Sequence, residues 1–127
     1  MGKLSRTKGA SGEREFINLL KDYLGDIDIK RNLNQYQQSN ESDIKGFDDF
    51  AIEVKRCKSA SLNSWWSQAE RQAQAVNKVP VLAYRLDRQQ WRVRVPMYLA
   101  YQIPGHGIEW TAEIGVEAFC AIVRESM

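Results

Sequence analysis

The chain has 127 residues, 43% hydrophobic and 27% charged, with a formal net charge of +2. That length fits one domain with one core, and no apolar run approaches the roughly 18 residues a membrane span needs. The opening, MGKLSRTKGASG, has no apolar stretch of the kind a secretory signal carries, so a soluble, cytoplasmic protein is expected. Cys57 and Cys120 belong to no CxxC or Cys/His cluster, which leaves a disulfide framework or zinc site without support. The lone His106, in Pro104-Gly105-His106-Gly107, reads as a solvated loop residue. The net charge is too small to indicate nucleic acid by itself, but its distribution is informative. Between Val54 and Ile108 nine Lys/Arg stand against two acids, Glu70 and Asp87, while the last segment is acidic. A basic middle flanked by carboxylates suits an enzyme that holds a polyanion and also binds a divalent cation.

In chain order, residues 1–10 carry Lys3, Arg6 and Lys8 without periodicity and are read as a flexible basic arm, either disordered or gripping phosphate. Residues 11–127 form the single domain. Ser11 is a plausible N-cap for a helix over Gly12 to Leu24, whose Phe16, Ile17, Leu19, Leu20, Tyr23 and Leu24 repeat at amphipathic spacing, with Gly25 ending it. Ile27 to Leu33 alternates like a half-buried strand, and Asn34 to Ser42 is a polar loop. A short strand around Asp43 to Lys45, a turn at Gly46 to Asp49 and a strand from Phe50 to Cys57 then predict a hairpin. Leu62 to Val76 places Trp65, Trp66, Ala69 and Ala73 on one helical stripe, which fits core or a dimer surface better than base stacking. Val79 to Leu86 is nearly continuous apolar sequence, as in a strand covered on both faces. Trp91 to Val95 alternates; its Arg92 and Arg94 fit a solvated edge or a DNA-facing rim, and the edge is the favoured reading. A short helix near 97–102, a Gly/Pro loop and a helix from Val116 to Glu125 follow. The order α-β-β-β-α-β-β-α predicts an α/β domain with a mixed sheet flanked by helices.

The chemistry concentrates between Asp43 and Lys55. Side chains alternate along a strand, so Glu53 and Lys55 share one face and Ile52 and Val54 the other. If the hairpin forms, Asp43 comes beside Glu53, although Asp48 or Asp49 takes that place in another register. Two adjacent carboxylates repel unless protonated or bridged by a cation, and hard oxygen ligands suit Mg²⁺. A cation so held, with Lys55 as a second positive group, supports phosphodiester hydrolysis. Glu13 shares the helical face of Phe16, Ile17, Leu20 and Leu24 and so points at the sheet; a carboxylate in a first turn also has a purely structural use against the helix dipole.

Gly12-Glu13-Arg14-Glu15-Phe16 on a helix, then Asp43, then Ile52-Glu53-Val54-Lys55, resembles the archaeal-type Holliday junction resolvases and related phage nucleases of the PD-(D/E)XK superfamily. Ser42 stands where the superfamily name has proline. The resemblance implies a restriction-endonuclease-like core and an endodeoxyribonuclease, most specifically one that cuts branched DNA such as four-way junctions, as a homodimer. It implies that Asp43, Glu53 and the Val54 carbonyl bind Mg²⁺, for which Mn²⁺ substitutes, that Lys55 is the catalytic lysine, and that Glu13 completes the site. It further implies DNA contacts from Ser39, in the loop before Asp43, and from Gln68 or Gln72. Lys3, Arg6, Lys8, Arg56 and Lys58 are the basic candidates for phosphate contacts. The alternatives are a PD-(D/E)XK nuclease acting on duplex or DNA ends, a non-catalytic nucleic-acid-binding module, and a protein-interaction module built on Trp65 and Trp66.

Overall fold

The computed structural model describes residues 2–33, 42–101 and 103–126, without the side chains of residues 2–8, 100 and 101. Its framework is a pair of parallel strands joined by a helix. Strand β3 (Phe50–Cys57) and strand β4 (Val79–Leu86) run in register from Phe50↔Val79 to Cys57↔Leu86, connected by helix α2 (Leu62–Val76). Parallel strands are covered on both faces, which is why FAIEVKRC and VPVLAYRL read as almost unbroken apolar sequence. Asn77, in the left-handed region at φ 57°, ends α2 and lets Lys78 N–H bond the Ala73 carbonyl at 2.9 Å. Strand β5 (Arg92–Pro96) continues the sheet antiparallel to β4, and strand β6 (Thr111–Ile114) pairs antiparallel with β5, giving the order β3-β4-β5-β6.

Helix α1 (Gly2–Leu24) and helix α4 (Val116–Ser126) pack on one face of this sheet. There Phe16 and Leu20 meet Ile52, Val81, Val93, Phe119 and Val123, all at most 1% exposed. On the other face Trp65, Trp66 and Ala69 of α2 cover Leu82 and Tyr84. Burying an aliphatic or phenyl side chain contributes about 1.5–3 kcal/mol each, so these two layers fix which side chains of β3 face which helix. Trp65 and Trp66 are core here. Among the described residues no helix is long and apolar enough to cross a membrane.

Four expectations change. Helix α1 starts at Gly2 rather than at Ser11, so residues 2–10 extend a helix instead of forming an irregular arm; lengthening an established helix needs no second nucleus, so the segment requires no apolar stripe of its own. The strand predicted over 27–33 shrinks to β1 (Lys30–Arg31), because its partner β2 (Ile44–Lys45) is only two residues long and turns off at Gly46. Gly46 has φ +118°, and a Cβ there would stand 2.3 Å from the Asp28 carbonyl oxygen, a position open only to glycine. The β2–β3 hairpin is replaced by β1–β2 pairing in a separate two-stranded ribbon. Finally, β5 is not an edge: β6 covers it, and Arg92 and Arg94 lie inside the sheet order. Helix α3 (Tyr98–Tyr101) and a 3₁₀ turn (Ile108–Trp110) complete the chain between β5 and β6.

Candidate functional site

The loss of the hairpin does not separate Asp43 from Glu53. Asp43 sits immediately before β2, and its backbone N–H donates to the Ile52 carbonyl at 3.0 Å. Its Oδ2 accepts from the Val54 N–H at 2.7 Å. These two bonds hold Asp43 against the open edge of β3, the edge not paired with β4. Within a strand the N–H and C=O of one residue point to the same side, so the Ile52 carbonyl and the Val54 N–H and carbonyl all face Asp43. The side chain of Glu53, between them, turns up towards α2, where it is 2% exposed in the row of Leu82. Lys55 follows on the same face, its Nζ 3.4 Å from Glu53 Oε2.

Glu13 enters from α1 and is also buried. Its Oε1 accepts from Arg31 Nε at 2.7 Å. Arg31 escaped the sequence reading, because its partner lies 18 residues away on another element. Gly12, one residue earlier, explains how α1 comes so close. A Cβ at Gly12 would stand 2.9 Å from the Cβ of Arg56 on β3, so only glycine permits this helix–strand approach.

Burial and the charge of Glu53 push the carboxyl of Asp43 well above the ordinary carboxylate range. Burial also raises Glu53, against the opposing effects of its hydrogen bond with Asp43 and the charge of Lys55. The pair therefore favours a state with one proton between them, Asp43 donating to Glu53. Among the described residues Glu53 Oε1 is buried with no hydrogen-bond partner. A buried carboxylate oxygen without a donor costs stability, and two converging carboxylates compound that cost, which a bound cation would relieve. Among the described residues no three His, Cys, Asp or Glu side chains stand in metal-binding geometry. The donor set the chain offers is two carboxylates plus the Val54 carbonyl on the same edge, which fits a hard cation that keeps several waters.

Asp48 and Asp49 are exposed on the turn before β3, away from this cluster, so the alternative register is not adopted. Gln72 is buried on the α2 stripe of Trp65 and Ala69, whereas Gln68 is half-buried beside it. Arg56 points to the opposite sheet face from Lys55 and stands 3.9 Å from Glu15, and Lys58 is exposed beyond the end of β3. Ser39 and the side chains of Lys3, Arg6 and Lys8 lie outside the described residues.

None of the curated proteins matches this sequence. Among solved structures the chain is similar to Hjc, a Holliday junction resolvase of the archaeal hyperthermophile Archaeoglobus fulgidus, with a TM-score of 0.53 at 19% identity over 91% of this chain and 98% of that one. At that identity the likeness is one of fold, and it makes the mixed sheet and its flanking helices a restriction-endonuclease-like core. The model of the family described as "phage putative PDDEXK endonuclease" matches residues 4–113, which contain the whole constellation of Glu13, Asp43, Glu53 and Lys55. With that match spanning most of its length, the chain belongs to the phage PDDEXK endonuclease family.

Proposed function

We propose that the protein is a Mg²⁺-dependent endodeoxyribonuclease that cuts branched DNA, with the four-way junction as its preferred substrate, and that it works as a homodimer whose two centres cut opposing strands. The observation that carries the hydrolytic reading is the meeting of Asp43, at the outer edge of β3, with Glu53 and Lys55 on its α2 face, Glu53 Oε1 being buried and, among the described residues, unpartnered. The junction preference and the dimer rest on the Hjc-like fold together with the motifs that resemble the resolvases.

In this reading Asp43, Glu53 and the Val54 carbonyl hold the cation, and Mn²⁺ substitutes for Mg²⁺. When bound, the ion supplies charge neutralisation at the phosphoryl oxygens and a lower pKa for a coordinated water. The chain's own residues do the rest. Asp43 gives up its proton on loading, and its Val54 N–H bond keeps the remaining lone pairs aimed at the edge. Lys55, partly exposed beside Glu53, presents its ammonium to the scissile phosphate and stabilises the negative charge that grows there. Glu13, oriented by Arg31, stands near enough to bias both carboxyls and orients the attacking water.

The test is cleavage of synthetic four-way junctions, flaps and plain duplex with Mg²⁺, Mn²⁺ or EDTA, comparing wild type with Asp43→Asn and Glu53→Gln. Metal-dependent cutting of the junction ahead of the other two supports the full reading. Equal cutting of all three removes the junction preference and leaves a nuclease of duplex or ends. An absence of metal-dependent cutting overturns the enzyme and leaves a nucleic-acid-binding module. Gel filtration with light scattering decides the dimer.

A further inference from the structure

Arg56 and Arg85 occupy directly paired positions on β3 and β4, one step from the C-terminal ends of both strands. Pairing puts their side chains on one face, the α1 face, about 4.8 Å apart at the backbone. Both converge on one carboxylate of α1. Glu15 Oε1 accepts from Arg85 and, at 2.9 Å, from Trp91 Nε1, while Glu15 Oε2 stands 3.9 Å from Arg56 Nε. Arg85 is fixed a second time by its Nε, which donates to the Gln89 carbonyl at 2.8 Å. These bonds engage two of its five guanidinium donors, and the side chain remains 27% exposed beside an open groove of about 610 Å³ that Glu15, Arg85 and Trp91 help to line.

One carboxylate cannot neutralise two guanidinium groups, so the cluster keeps about one positive charge. Lys58 and Arg88, exposed at the same end of the sheet, are offset by the exposed Asp87 and by Glu117 on the groove wall, so the region keeps about one positive charge. An oriented, partly exposed arginine with spare donors is the group best matched to bidentate phosphate binding. Arg56 is three residues beyond Glu53, about 10 Å along β3, but strand alternation turns it to the α1 face while Glu53 and Lys55 face α2. A DNA strand held at Glu53 and Lys55 therefore reaches this cluster by passing around the C-terminal ends of β3 and β4.

We propose that Arg56 and Arg85, held by Glu15 as a positioning residue, form a clamp for the DNA backbone at the C-terminal ends of β3 and β4, on the sheet face opposite Glu53 and Lys55. This rests on the nuclease reading above, and it adds the path by which the strand leaves the site.

The experiment measures binding to a four-way junction in EDTA as a function of salt, with Mg²⁺-dependent cleavage by the same wild-type preparation. One phosphate contact contributes about −0.9 to the slope of log K against log[salt], or about eightfold in affinity between 1 M and 0.1 M salt. Arg85→Ala and Arg85→Gln are expected to flatten the slope by about one and to weaken binding about eightfold at 0.1 M salt, with the loss in cleavage falling on KM more than on kcat. Arg85→Lys restores the slope. The glutamine variant keeps a donor to Glu15, so it reads the charge even where the alanine variant disturbs folding. Lys78→Ala, which removes a cation bonded to the Phe47 carbonyl at the other end of the sheet, leaves the slope as it is. A slope unchanged in both neutral Arg85 variants, or flattened equally by Lys78→Ala, overturns the clamp while wild-type cleavage keeps the nuclease reading intact. A flattened slope in a protein that does not cut supports the clamp and overturns the nuclease. A wild type that neither cuts nor binds overturns both.

Discussion

Asp43→Asn is expected to make the metal-free protein more stable while abolishing the proposed metal site. Asparagine is nearly isosteric, its carbonyl can accept from the Val54 N–H as Asp43 Oδ2 does, and its amide can donate to Glu53 as the protonated carboxyl does. Two ionised carboxylates about 4 Å apart repel by about 4 kcal/mol at an effective dielectric of about 20. Protonation caps that cost at about 1.4 kcal/mol for each unit by which the folded value exceeds the unfolded one. The gain in the asparagine variant at pH 7.5 is therefore bounded by that repulsion of about 4 kcal/mol, and each kcal/mol of it raises Tm by about 3–6 °C for a chain of this size. The sign with pH follows from the raised carboxyl. Stability is fully present in the wild type below the unfolded value near pH 4, where Asp43 is protonated in both states, and is lost as pH rises through the higher folded value. The difference between variant and wild type should thus vanish near pH 4 and grow towards neutrality. Thermal unfolding in EDTA from pH 4 to 8 measures it, and added Mg²⁺ should raise the Tm of the wild type alone, since only a ligand that binds the native state stabilises it. An asparagine variant less stable than wild type at pH 7.5 in EDTA, or a gain that persists at pH 4, would refute the reasoning.

Glu53→Gln should cut Mg²⁺-dependent cleavage by at least about 100-fold while leaving junction binding in EDTA equal or tighter, because a carboxylate facing phosphate has been removed; single-turnover kinetics with a gel-shift titration checks it. Lys55→Ala should lose about as much on kcat and should destabilise by about 1–3 kcal/mol, since it leaves the buried Glu53 carboxylate without its cation. Gly12→Ala places a methyl 2.9 Å from the Cβ of Arg56 and should destabilise by about 1–3 kcal/mol by pushing α1 off β3, seen as a lower urea midpoint; an unchanged midpoint would mean that the helix–strand approach is not tight. Trp66→Ala, at a side chain 1% exposed between α2 and the sheet, should cost about 3–5 kcal/mol in chemical denaturation.

The elements that the sequence made legible are those whose burial is set by their own pattern. Phe50–Cys57, Leu62–Val76 and Val79–Leu86 keep their predicted limits because a two-faced strand and an amphipathic helix carry their periodicity internally. β6 was not legible: Thr111, Ala112, Glu113 and Ile114 are all half-buried and show no alternation, and the segment is a strand only because β5 offers it a ladder. The same loss made Arg92 and Arg94 look like a solvated edge, where they in fact pair with Glu113 across β5 and β6. At the site, Glu53 and Lys55 followed from strand parity, and Glu13 from helical phase. Arg31 and the Glu15 cluster did not follow, because their partners lie 18 to 76 residues away and no local spacing encodes such pairings.

The triplet Glu53-Val54-Lys55 owes its use to a property of strands that side-chain parity alone does not convey. Residues i and i+2 place their side chains on one face, while the residue between them places both main-chain groups on one edge. Among the described residues β3 is the last strand of its sheet, and Asp43 occupies its outer edge with two bonds instead of a full ladder. An open edge is ordinarily a liability, since it invites pairing with another chain. Here a short ribbon, β1–β2, lies alongside and pairs with itself, so it delivers Asp43 without closing the edge. Had β2 zipped fully onto β3, as the hairpin reading had it, the Val54 carbonyl would be spent on a ladder bond and lost to a cation. A slip of β3 by one residue would turn Glu53 and Lys55 to the α1 core and bring Ile52 and Val54 under Trp66, burying two charges in an apolar layer. The register that packs the two cores is therefore the same register that assembles the carboxylate pair, and selection on stability and selection on the site act on one set of contacts.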